Sequence, residues 1–136
     1  DWSSDVCCSD LIWLSVMTGG AIGSLGRFLL ASQIGHWLPN ARFPFGTFAV
    51  NVIGCFIAGA LVEIFAFTWS PSPEARAFLV TGFLGGFTTF SAFSIDVFYL
   101  VEKGDVLLAA GYVVASVLIS FVAFFAAQSL FRLILT

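Results

Sequence analysis

The chain has 136 residues, 60% of them hydrophobic and 10% charged, with five Lys and Arg against eight Asp and Glu for a net charge of −3 and a mean hydropathy of +1.04. Soluble domains carry about 25% charge, so this is the composition of a membrane protein, and the acidic balance excludes nucleic acid as a partner. Four spans of about 20 apolar residues each would consume nearly the whole chain. No room is left for a separate soluble domain, and the odd set Cys7, Cys8 and Cys55 outlines no disulfide framework.

Residues 1–10, DWSSDVCCSD, are polar and lack a basic n-region, so they read as a tail and not as a secretory signal as they stand. Residues 11–136 form one transmembrane domain. Its first span, Leu11 to Ile34, is interrupted only by small polar side chains, Gln33 and Arg27. Gly19, Gly23 and Gly26 give it a small-residue face suited to close helix packing. Arg27 is expected near the membrane edge, reaching outward along its stem. The first connector, His36 to Pro44, holds two prolines and reads as a turn.

The second span, Phe45 to Trp69, carries Asn51 on one helical face with Gly54 and Ala58. An amide there faces protein or a pore, not lipid, and interhelical glue and pore lining are both open readings. Glu63 lies toward the end of this span, which points to an interfacial position. A second connector, Ser70 to Arg76, contains Ser-Pro-Ser-Pro-Glu.

Ala77 to Leu100 is the third span. Its centre reads Gly82-Phe83-Leu84-Gly85-Gly86-Phe87-Thr88-Thr89-Phe90-Ser91-Ala92-Phe93-Ser94. Adjacent glycines followed by β-branched threonines make a poor helix interior. Unwinding would free carbonyls at mid-membrane depth, tolerated only where protein, water or an ion satisfies them, and transporters build ion sites in this way. A kinked helix with small residues for packing is the competing reading. Phe83, Phe87, Phe90 and Phe93 share one face if the segment is helical. Such a stripe can serve packing alone, but beside Thr89, Ser91 and Ser94 its positive ring edges could also face an anion. Asp96 closes the span, again toward an interface.

The third connector, Glu102 to Asp105, turns around Lys-Gly, and the fourth span, Val106 to Phe131, is uncharged. Tyr112, Ser116 and Ser120 repeat every four residues along it. The hydroxyls either bond back to their own helix or line a wet path. Alternate connectors carry Arg76 and Arg132 on one side against Arg42 and Lys103 on the other. That balance allows insertion in both orientations, hence an antiparallel two-fold dimer, unless five basic residues are too few to decide anything.

No nucleophile, base and orienting acid can be assembled from the spans. Phosphate loops, His/Cys metal spacing and dinucleotide fingerprints are absent too. What remains is a four-span protein with uncharged donors inside, the chemistry of an anion path whose sites are weak enough to release the ion.

Three stretches in order, Gly19-Gly20-Ala21-Ile22-Gly23-Ser24-Leu25-Gly26-Arg27-Phe28, Gly46-Thr47-Phe48-Ala49-Val50-Asn51-Val52-Ile53-Gly54 and the Gly82 to Ser94 segment, resemble the Fluc (CrcB) fluoride channel family. The resemblance covers Leu11 to Thr136. It implies an all-α fold of four membrane helices, the third broken near the midplane, in an antiparallel, dual-topology homodimer of the cell membrane. Two pores would export cytoplasmic fluoride passively. Asn51 then corresponds to the pore amide, Phe90 and Phe93 to the rings whose edges face the ion, and Thr89 and Ser91 to hydroxyls of the same segment. Tyr112, Ser116 and Ser120 correspond to a polar track, with Asp96 where the family often has an acid. Gly85 and Thr88 match broken-helix carbonyls around a structural sodium ion (Na+) at the dimer interface. Phe28 stands where the family often has Tyr, and the tail lies outside the pattern. The competing classes are a small multidrug exporter, which needs a central carboxylate that the first span lacks, and a non-transporting assembly subunit.

Overall fold

The computed structural model describes the backbone of residues 2–136 and the side chains from Asp10 onward. Its elements, all helical, are α1 (Trp2–Trp37), α2 (Phe45–Phe67), α3 (Pro73–Arg76), a π-helical stretch Ala77–Leu84, α4 (Gly85–Phe87), α5 (Phe90–Glu102) and α6 (Val106–Leu135). Together they make four segments long and apolar enough to cross a membrane, Asp10–Trp37, Phe45–Phe67, Pro73–Glu102 and Val106–Leu135. The backbone expected as a tail continues α1 as helix from Trp2. The side chains of Cys7 and Cys8 lie outside the described residues.

The third span starts earlier than expected, at Pro73 instead of Ala77. Ser72 caps it by accepting from the Ala75 N–H at 3.2 Å, Pro73 occupies the first turn, and Glu74 lies at the positive end of the helix dipole. These are strong start signals, and they outweigh the turn reading of Ser-Pro-Ser-Pro-Glu.

Glycines fix the packing. A Cβ on Gly19 or Gly23 would fall on the carbonyl of Phe78 or Phe83, and one on Gly86 would meet the Gly20 carbonyl. α1 and the first half of the third span are therefore in backbone contact, the small-residue mode of membrane helix association. α2 and α6 meet the same way, with Gly59 against the backbone of Phe124. Tyr112, Leu100 and Ala109 form a buried cluster at one end, flanked by Phe43, Phe48 and Phe93. There Arg42 and Asp105 pair at 3.4 Å across the first and third connectors, so these connectors share a side, as alternating spans require. Large apolar side chains such as Trp13, Leu107 and Leu133 point outward, the pattern of helices solvated by lipid.

Candidate functional site

The helical run of the third span stops at two residues. Thr88 (φ −80°, ψ 158°) ends α4, and Thr89 (φ −154°, ψ 122°) begins α5. Both are extended, the conformation that β-branched side chains favour. The break is therefore narrower than expected and falls on the threonines. Gly85 remains helical at φ −62°, ψ −36°, and its neighbours Gly82 and Gly86 serve close approach to α1 instead of unwinding.

Several polar groups at the break find partners nearby. The Thr88 hydroxyl donates to the Leu84 carbonyl at 2.8 Å. Thr89 Oγ1 accepts from the Ala92 N–H at 3.2 Å and so caps α5. The Thr89 N–H donates to Asn51 Oδ1 at 2.8 Å, and Asn51 Nδ2 donates to the Thr89 carbonyl at 3.0 Å. One amide side chain on α2 thus replaces the helical partner of the Thr89 N–H and adds a donor to the Thr89 carbonyl, which as N-cap also begins the hydrogen bonding of α5. The pairing also fixes which way the amide points. Of the two N–H groups on Nδ2, one goes to Thr89 and the second has no protein acceptor among the described residues. Gly54, one turn along, makes room: a Cβ there would fall on the Thr88 methyl.

Beside the break, α2, α5 and α6 enclose an open groove of about 440 Å³. Asn51, Thr89, Phe90, Phe93, Ser116 and Ser120, all singled out from the sequence, line it together with Thr88, and its far end is walled by Phe121, Phe124 and Phe125. Among the described residues no basic side chain lines it. Phe90 and Phe93 stand 5.5 Å apart between centroids. Phe90 is 80% exposed. Ser116 is buried, and its hydroxyl has no hydrogen-bond partner among the described residues.

Other expected site residues lie elsewhere. Phe83 and Phe87 stack on each other at 5.8 Å, while Phe87 is buried near Gly26 and Gly54. The break therefore splits the expected aromatic stripe into a packing pair and a groove pair. Tyr112 is fully buried behind Phe93, 5.1 Å between rings, and its hydroxyl donates to Asp96 Oδ2 at 3.3 Å. Ser91 is exposed outside the groove, its oxygen 3.2 Å from Thr89 Oγ1. Arg27 is half-buried with ten more helical residues beyond it, to Trp37, so it stands well inside the span and not at its edge.

An ion pair between residues 69 positions apart leaves no mark in the local sequence pattern. Glu63 is 1% exposed and accepts from Arg132 Nη2 at 2.7 Å. It lies between α2 and α6, not at an open interface. Each partner alone reads as an end-of-helix charge, and only the parallel packing of α2 on α6 brings them together.

The profile of the family described as CrcB-like protein, Camphor Resistance (CrcB), matches residues 14–128. The chain belongs to the CrcB-like family. Among curated relatives, the fluoride-specific ion channel FluC of Rhodospirillum centenum is 50% identical over 119 residues, 88% of this chain and 94% of the relative. The protein of the same name from Nitrobacter winogradskyi is 45% identical over 121 residues, covering 89% and 95%. That of Agrobacterium fabrum is 50% identical over 120 residues, covering 86% and 93%. This CrcB-like chain is thus a multi-pass membrane protein of an ion-channel family and not an enzyme, and the matched region contains the whole groove.

Proposed function

We propose that this chain is a fluoride channel of the plasma membrane and that the groove is one wall of its pore. The carrying observation is the donor set: a spare Asn51 N–H, the unpartnered Ser116 hydroxyl, Ser120 and the edges of Phe90 and Phe93, with no Lys or Arg among them. A small anion gives up water to enter, and oriented weak donors offset that loss. A central fixed cation would hold the ion, whereas conduction needs release. Phe93 leads on to Tyr112 and Asp96, which continue the polar route toward the first and third connectors. Fluoride crosses as the ion while its acid enters cells as the neutral molecule, so a passive anion leak lowers the trapped concentration.

The homodimer belongs to the same proposal. Phe90, Ser91, Ser94 and Gly85 are exposed beside the break in a single chain, and a second, antiparallel copy would close the groove and meet them. Na+ at that junction is supported by the backbone. An unbroken α-helix would send the Thr89 N–H to the Gly85 carbonyl, but that N–H is taken by Asn51, which leaves the Gly85 oxygen without its helical donor. Carbonyls of Gly85 and Thr88 would hold the ion in a structural role, linking two chains whose like-oriented dipoles otherwise repel.

The test is fluoride efflux from liposomes holding the purified chain, started with a potassium ionophore. Fluoride should leave with little chloride, and Phe90→Ile and Phe93→Ile should each slow it at least about tenfold, roughly 1.4 kcal/mol of lost stabilisation. Replacing sodium on both sides by a large organic cation should slow efflux reversibly. Equal chloride efflux would overturn the channel reading, and full flux after exhaustive sodium removal would withdraw Gly85 and Thr88 as cation ligands.

A further inference from the structure

At the end away from Phe124 and Phe125 the groove runs up to Tyr112, one turn from Ser116 on α6, with its ring 5.1 Å from that of Phe93. Tyr112 is wholly buried and lines no part of the groove. Its hydroxyl nevertheless carries the polar groups onward by donating to the half-buried Asp96. Asp105, at the third connector, lies about 10 Å further along the α6 axis. A polar route that leaves the membrane on this side must therefore pass whatever covers Tyr112.

Among the described residues of the apolar cluster around Tyr112, all but one belong to helices: Phe93, Val97 and Leu100 to α5, Leu108 and Ala109 to α6, and Phe48 to α2. Phe43 is the exception. It lies in the first connector, half-buried, and its ring meets that of Tyr112 at 88° with centroids 5.2 Å apart. The helical members are held by their backbone ladders and cannot move singly. Phe43 is held by ring contacts with Phe45 at 4.6 Å and Phe48 at 5.4 Å, and beside it Arg42 donates to Asp105 at 3.4 Å. Arg42 is 79% exposed, and ion pairs of this kind are weak. The one part of the cover that can lift without moving a helix is thus the Phe43 ring.

Resting on the channel reading, we infer that Phe43 is the exit residue of the pore: its ring closes the Tyr112 end of the polar route and limits how fast fluoride leaves, and the Arg42–Asp105 pair holds it there. An apolar ring across a narrow wet path excludes water, and an anion cannot pass it without water or donors. When the ring swings out, the Tyr112 hydroxyl and Asp96 are uncovered, while Asn51, Ser116 and Ser120 keep their places on α2 and α6. Arg42 and Asp105 are positioning residues that act through Phe43.

The experiment is single-channel current at fixed fluoride in planar bilayers of uncharged lipid. Current is read per channel, so a variant that folds poorly gives fewer channels and not smaller ones. Loop motion in nanoseconds to microseconds is averaged within each reading. The covered arrangement is the one the chain adopts and so holds more than half of the population, and Phe43→Ala should raise the current at least about twofold. Phe43→Trp keeps the cover and should not exceed wild type. Phe65→Ala deletes a ring at the other end of α2, where it packs on Trp69, and should leave the current unchanged. Arg42→Gln and Asp105→Asn remove charges of opposite sign. An effect of their field on the anion would move the two currents in opposite directions, whereas release of the ring raises both, by about 1.5-fold, since an exposed pair weights such an equilibrium no more than about fivefold. An unchanged or smaller current in Phe43→Ala, a gain in Phe43→Trp, or an equal gain in Phe65→Ala would overturn the inference. Failure of the two pair variants to rise together would overturn the role of Arg42 and Asp105. Wild-type channels that carry no fluoride would instead overturn the underlying reading, and the exit with it.

Discussion

Asn51→Asp should lower fluoride efflux below about one-tenth of wild type and destabilise the folded chain by about 1 to 3 kcal/mol. Asn51 serves Thr89 with both halves of its amide, accepting from the N–H at 2.8 Å and donating to the carbonyl at 3.0 Å. An aspartate can still accept. It has no donor for the Thr89 carbonyl, so two acceptors face each other across a half-buried gap and that carbonyl keeps only its helical donor. The same change removes the spare N–H from the groove and puts a negative charge where an anion should pass. Structural and conductive losses therefore point the same way. Efflux measured alongside thermal stability in detergent checks both, and wild-type values in the two assays would remove Asn51 from clamp and pore alike.

Gly23→Val should abolish recovery of a monodisperse protein. Its Cβ would fall on the Phe83 carbonyl and lie 2.9 Å from the Phe87 nitrogen. The obstacle is backbone on both sides, which cannot step aside as a flexible side chain can, so α1 must move away from the third span. Overpacking costs about 1 to 3 kcal/mol where side chains can adjust, and this site should exceed that range. Gly35→Ala is the matched control, because among the described residues nothing lies within 4 Å of a Cβ there, and it should elute and conduct as wild type. Size-exclusion profiles of the two variants decide the point.

Hydropathy carried most of the fold. The ends of the four spans were legible to within a few residues, since long apolar runs separated by Pro, Gly and charge leave little choice of partition. The break in the third span was legible as a place but not as a mechanism. Glycine is both a poor helix former and the residue of closest approach, and sequence alone does not say which property is in use. Here Gly82 and Gly86 lie against α1, and Thr88 and Thr89 take the extended turn. Asn51 was recognisable as protein-facing from its small neighbours. Its partner was not, because the bond to Thr89 spans 38 positions. Glu63 and Arg132 show the same limit: pairing depends on helix registry, which local pattern does not encode. The aromatic stripe failed for a related reason, since a single helical phase cannot be carried through two extended residues.

The most direct measurement of the central claim is the reversal potential of the purified channel in a planar bilayer with fluoride on one side and an equal concentration of chloride on the other, sodium matched on both. A pore lined by Asn51, Phe90, Phe93, Ser116 and Ser120 that strips and rebinds only the small anion should show no measurable reversal, its current carried by fluoride at every voltage tested. A reversal near zero millivolts, which means that chloride passes as readily as fluoride, would contradict it.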